Sequence, residues 1–173
     1  MSMEFRDRVI SHLLRSFTNP KNLTKFHRLS LKNLQDALHP SIKKGPKFKT
    51  LLLSRLDSLA LQIATETHEA APELEAEMDE RHEFFNTTLK KSFLAPIAAD
   101  LRELKLFTTV GLNTHVYWGE YPQCDLRNLH SPKLEVLALG NFAFAYEWQL
   151  DWILSHAETL HTLVLDDCPI VIA

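Results

Sequence analysis

An α/β solenoid, with parallel strands and helices on its convex side, is the fold class this 173-residue sequence predicts, and three observations predict it. First, five short stretches carry one pattern, apolar-x-x-apolar-x-Leu: Phe26–Leu31, Phe48–Leu53, Leu101–Leu106, Leu134–Leu139 and Leu160–Leu165. Second, the last two apolar residues of each stand two apart, so on a strand they point the same way. Third, the copies begin 22, 53, 33 and 26 residues apart. With one degenerate copy in the longest gap the mean step is about 27, inside the range of leucine-rich repeats. The expectation is therefore a leucine-rich-repeat-like solenoid in which neighbouring repeats must stack to bury their leucines.

Each element follows from local pattern. Residues 1–19 read as an amphipathic helix, since Phe5, Val9, Leu13 and Phe17 recur every four positions with Ile10 and Leu14 beside them. Asn19-Pro20 ends it, because the residue before a proline resists helical dihedrals. Glu4 and Asp7 argue against a mitochondrial presequence, in spite of Arg6, Arg8 and Arg15. Residues 20–65 hold degenerate repeats. They comprise a strand at 28–32, a turn or short helix from Asp36 to Pro40, a loop at Lys43-Lys44-Gly45-Pro46-Lys47 and a second strand near 49–53. Leu56, Leu59, Leu61 and Ile63 fit either a helix or a further strand. Residues 66–83 carry eight carboxylates and few apolar partners, and read as a solvated helix broken at Pro72 or a mobile acidic loop.

Residues 84–173 hold the clearer repeats. An apolar patch runs from Phe84-Phe85 through Leu89, Phe93, Leu94 and Ile97. Strands are expected at 103–107, 136–140 and 162–166, with a helix from Glu147 to Ala157 that sets Trp148, Trp152 and Ile153 on one face. Leu104, Leu106, Leu137, Leu139, Leu163 and Leu165 are expected to be buried together. The whole of 1–173 then forms one repeat domain.

Charge is unevenly spread. Residues 1–56 carry 12 Lys/Arg against 3 Asp/Glu, residues 57–83 carry 1 against 9, and residues 84–173 carry 6 against 10, for a net charge of −3. The basic front and acidic middle either attract each other or serve partners of opposite charge. Two cysteines, Cys124 and Cys168, are too few for a secreted disulfide scaffold, which favours the cytoplasm or nucleus. No apolar run reaches the roughly 18 residues of a membrane span, so no membrane partner is expected.

Catalytic and metal chemistry finds little support. His68-Glu69 lacks a second histidine four residues on, and neither cysteine has a Cys-x-x-Cys partner. There is no Gly-x-Ser-x-Gly elbow and no glycine-rich phosphate loop. Cys168 beside Asp166 and Asp167 sits among carboxylates that raise a thiol pKa, and fits a structural role at a repeat turn. No cofactor is expected, and a binding protein is favoured over an enzyme. A small hydrolase or transferase using the aspartates and histidines is the rival from another class. Lys43, Lys44, Lys47 and Lys49 lack the interleaved stacking aromatics of a nucleic-acid surface, so nucleic acid is an unlikely partner.

The candidate binding residues come from alternation. If the leucines point inward, then Arg28, Lys32, Glu103, Lys105 and Phe107 point outward from the concave sheet. Tyr117, Trp118 and Tyr121 lie on a connection longer than folding alone requires, and such aromatics anchor interfaces. The expected partner is a protein held without covalent chemistry.

Four stretches carry a resemblance. They are Asp125-Leu126-Arg127-Asn128-Leu129-His130, Leu134 through Gly140-Asn141, Trp148 through His156, and Leu165-Asp166-Asp167-Cys168-Pro169-Ile170. Over 101–173 the chain resembles the leucine-rich-repeat region of fungal F-box proteins. The resemblance implies a substrate receptor of a cullin-based ubiquitin ligase, with ligase subunits among its partners. It covers the repeats alone, since nothing near the N-terminus reads Leu-Pro-x-Glu, the opening of an F-box. The ending just after a repeat strand is read as part of a longer architecture or as a shortened relative. An interaction scaffold unrelated to ubiquitin is the alternative within the same class.

Overall fold

The computed structural model describes residues 3–17, 19, 21, 26–36, 42, 53–64, 79–109 and 117–171. Within them the chain is an α/β structure built on one open, all-parallel sheet of five strands. The strands are β1 (Arg28–Gln35), β2 (Ser58–Ala64), β3 (Glu103–Thr108), β4 (Val136–Gly140) and β5 (Thr162–Asp166), and their order across the sheet is their order along the chain. The helices are α1 (Met3–Phe17), α2 (Asp79–Glu83) and α3 (Glu147–Leu154), and a π-helix over Phe84–Leu94 continues directly from α2.

The register aligns the leucines. Leu29, Leu59, Leu104, Leu137 and Leu163 form one row, and Leu31, Leu61, Leu106, Leu139 and Leu165 form a second. Because alternate residues of a strand face opposite ways, both rows lie on one face of the sheet. Against that face pack the π-helix, through Phe84, Phe85, Leu89 and Phe93, and α3, through Trp152 and Ile153. The buried positions of the π-helix fall four to five apart, as wider i→i+5 turns require, and the Ala95 N–H closes one such turn on the Lys90 carbonyl at 2.8 Å.

The same junction opens every strand after the first. Two successive amides, of Asp57 and Ser58, donate to the His27 carbonyl. Arg102 and Glu103 donate likewise to Asp57, Glu135 and Val136 to Arg102, and His161 and Thr162 to Glu135. Leu56, Leu101 and Leu134, each one residue before its junction, are buried and fill the bend into the strand.

Three expectations are resolved or corrected. The strand that follows β1 in the sheet is β2, which settles Leu59, Leu61 and Ile63 as a strand and not a helix. Residues 49–52 lie outside the described set, and Leu53–Arg55 form a tight 3-10 turn. The stretch Leu56-x-x-Leu59-x-Leu61 carries the repeat pattern, and its strand leucines match those of β1 and β3 in register. The shared burial of six leucines holds for Leu104, Leu106, Leu137 and Leu139, but Leu163 and Leu165 are 45% and 47% exposed. They lie on the outermost strand, and no described element covers them on its far side. The buried face of α1 is not the one that runs through Val9 and Leu13. Ile10 and Phe17, seven apart, pack against the core, while Val9 and Leu13 are exposed. The acidic residues 66–78 and the basic loop from Lys43 to Lys49 lie outside the described residues.

Candidate functional site

No described element covers the other face of the sheet, which forms a shallow trough of about 860 Å³. Its floor is the set of residues that alternate with the leucines. Arg28, Ser58 and Glu103 are register partners in one row, and Ser30, Ala60 and Lys105 in the next. Lys32, Phe107 and Asp166 complete the lining that the charges define. Thus Arg28, Lys32, Glu103, Lys105 and Phe107, expected from alternation alone, share one surface.

Glu103 is the best-held charge of the trough. The Lys105 ammonium lies 2.6 Å from one carboxylate oxygen, and the Ser58 hydroxyl donates to the other at 2.8 Å. These two partners, the lysine foremost, hold the Glu103 carboxyl below its ordinary value against an opposing effect of burial. Lys105 is therefore both exposed to a partner and tied to its neighbour two residues back. Phe107 packs over Gly140, its register partner on β4. A Cβ on Gly140 would stand 2.1 Å from the Phe107 ring, so the glycine makes room for the aromatic floor. Cations dominate the β1–β3 side of the trough, while Asp166 marks the β5 side.

The three aromatics of the long connection separate. Tyr117 is half-buried at the β5 end, with its hydroxyl 3.3 Å from both carboxylate oxygens of Asp167. Partial desolvation, and after it the Asp167 carboxylate, raise its phenol pKa. Tyr121 is 61% exposed, and its ring lies tilted against that of His82, with centroids 4.3 Å apart. Trp118 is wholly buried, which corrects its assignment as a contact residue. Its indole N–H donates to the Gly140 carbonyl at 2.9 Å, and its ring lies between Phe85 and Phe142. The indole closes the core beneath the end of β4 and has no surface to offer a partner.

A buried polar hub supports this end of the fold. The Gln149 Oε1 accepts the amides of Ala145 and Tyr146 at 2.8 and 2.9 Å, and its Nε2 donates to the carbonyls of Gly119 and Ala143 at 3.1 and 3.2 Å. Gly119 adopts φ +109°, where a side chain would meet the Ala143 carbonyl at 2.7 Å. Sequence patterning passed over Gln149, since a glutamine among helical apolar residues carries no sign of burial. Ser58 lies on a stretch whose leucines fit a helix as well as a strand, so alternation alone does not aim it at the trough.

Both cysteines are free thiols, Cys124 buried and Cys168 partly so. Burial pushes the Cys124 thiol up to about 12. The Cys168 thiol, raised first by burial, donates to the Leu139 carbonyl at 3.3 Å. Among the described residues no group of three or more His, Cys, Asp or Glu is arranged to hold a metal ion, and no helix is long and apolar enough to cross a membrane.

No family model, no curated protein and no solved structure matches the chain.

Proposed function

We propose that the chain is a leucine-rich-repeat-type solenoid, acting in the cytoplasm or nucleus, that captures a protein partner noncovalently on the outward face of its sheet. One observation carries this reading: a single face of the sheet is sealed by two leucine rows, while the opposite face gathers Arg28, Lys32, Glu103, Lys105 and Phe107 in an open trough. A surface of mixed charge around an aromatic floor suits recognition of a polar chain segment. Chain-order strands and the four-times repeated junction support the solenoid reading. The resemblance to fungal F-box proteins gives the reading its biological form, a substrate receptor of a ubiquitin ligase.

The test uses Arg28 and Lys32, the two exposed cations of β1, the first of which stands close enough to Glu103 to favour its ionised form. Arg28→Glu with Lys32→Glu should leave the melting temperature within a few degrees of wild type and weaken partner capture about tenfold or more. Capture that survives both this variant and Phe107→Ala would move the binding surface off the sheet. Co-precipitation with the linker subunit that joins F-box proteins to cullins tests the ligase role separately. Its failure would leave a recognition module without a ligase.

A further inference from the structure

Among the described residues, nothing guards the last strand of the sheet. Of the exposed large apolar residues, Leu150, Leu154, Leu163, Val164, Leu165, Ile170 and Val171 all fall in the last elements of the chain. Every side chain of β5 is exposed. The Thr162 N–H reaches the Glu135 carbonyl, and the Asp166 carbonyl accepts the Asn141 amide at 2.9 Å. By strand alternation the amides and carbonyls of Leu163 and Leu165 therefore point out of the edge.

The outer strand at the opposite end is protected. β1 carries Arg28 and Lys32, and its pairing is interrupted between Leu31 and Leu34, where Asn33 takes φ +55°. Charges and a bulge are the usual devices that keep an edge from pairing. β5 has neither a lysine, a proline nor a bulge. A head-to-tail array joining β5 to β1 is thus disfavoured, whereas β5 against β5 is not.

We propose that a second copy of this chain docks on the edge, with the two β5 strands antiparallel about a two-fold axis through Val164. The sequence Thr162-Leu163-Val164-Leu165-Asp166 is self-complementary in that register. Leu163 faces Leu165 of the other copy, Thr162 faces Asp166, and Val164 meets itself. The two leucine pairs are then the hydrogen-bonded pairs, because their amides are the ones aimed outward. Val164 forms the close, non-hydrogen-bonded pair on the trough face. No like charges oppose each other, and each Thr162 hydroxyl can donate to an Asp166 carboxylate. A two-fold axis normal to the sheet keeps the leucine rows on one side. It brings the exposed Leu150 and Leu154 of α3, which packs on that side, toward those of the other copy. The product is one ten-stranded sheet with two troughs side by side.

Sedimentation of the full chain across the micromolar range tests this. Wild type should shift with concentration from the monomer mass to twice that mass. Val164→Lys alone and Val164→Asp alone should each stay monomeric, because the substituted residue meets its own copy. An equimolar mixture of the two should recover the dimer, a result no other register gives. Val164→Cys guards against misfolding of the charged variants. Its opposed Cα atoms would stand about 4.5 Å apart, within disulfide reach, so oxidised glutathione should crosslink it while wild type stays uncrosslinked. A wild-type chain that is monomeric throughout overturns the proposal and leaves the edge to a foreign strand. A dimer that persists undiminished in Val164→Lys overturns it too, by placing the contact elsewhere.

Discussion

His156 shows how one buried side chain ties two segments together and makes the fold sensitive to acid. Its Nε2 accepts the Ser131 amide at 3.1 Å, and its Nδ1 lies 2.8 Å from the Trp152 carbonyl, a pairing only the neutral Nδ1–H tautomer satisfies. Around it stand the His130 ring at 4.9 Å and the Trp152 ring at 5.2 Å. Burial, foremost, lowers its pKa below the ordinary histidine value. The unfolded chain therefore binds a proton more readily than the native one. The stability this provides is complete above the ordinary histidine range and is lost as pH falls through it toward the depressed native value. In urea melts the gap between wild type and His156→Leu should narrow from about pH 7 to about pH 5. A gap of constant size would mean that the imidazole does not titrate between the two states.

At the scale of elements, the sheet distinguishes inner strands from its last one. Leu137 is fully buried in β4 with strands on both sides, so Leu137→Ala should cost about 2–5 kcal/mol. Leu163, its register partner on β5, is nearly half exposed, and Leu163→Ala should cost roughly 1 kcal/mol. Equal losses in denaturant midpoints would contradict this account of the edge. The strands 103–107, 136–140 and 162–166 were legible in the sequence because each leucine pair fits the repeat pattern in one phase alone. β2 was obscured by abundance. Leucines at 51, 52, 53, 56, 59 and 61 satisfy the repeat pattern in two phases, and only pairing with β1 and β3 selects one. The trough was legible through Glu103, Lys105 and Phe107, whose alternation with Leu104 and Leu106 is unbroken. Trp118 was not, since an indole on a long connection looks alike whether it anchors a partner or seals a core. The Gly140 carbonyl that receives its N–H is 22 positions away in sequence.

For the whole molecule, chain-order stacking makes each strand depend chiefly on its neighbours. The three inner strands have partners on both sides, and the leucines of β2 to β4 are buried. β5 has one partner and exposed side chains. Native-state hydrogen exchange should accordingly protect the β3 and β4 amides most, and the outward Leu163 and Leu165 amides least, by at least about a hundredfold. Uniform protection across the five strands of a dilute sample would show that the sheet opens only as a unit.

The recurrent junction has a consequence for how such a chain can change length. Phe26, Leu56, Leu101, Leu134 and Leu160 hold equivalent places, yet the intervals between them are 30, 45, 33 and 26 residues. Four intervals of such different length nonetheless lead into the same paired amides on the residue that follows. Strand spacing is thus set by backbone groups at the junction, and the length of the intervening chain is left free. Lengthening a surface connection is entropically mild, roughly 0.6 kcal/mol for each doubling. Insertions and deletions should accordingly accumulate between strands, while the single-residue step from Leu104 to Leu106, or from Leu137 to Leu139, admits none. One residue gained there would turn a leucine row toward the trough and its charges toward the core.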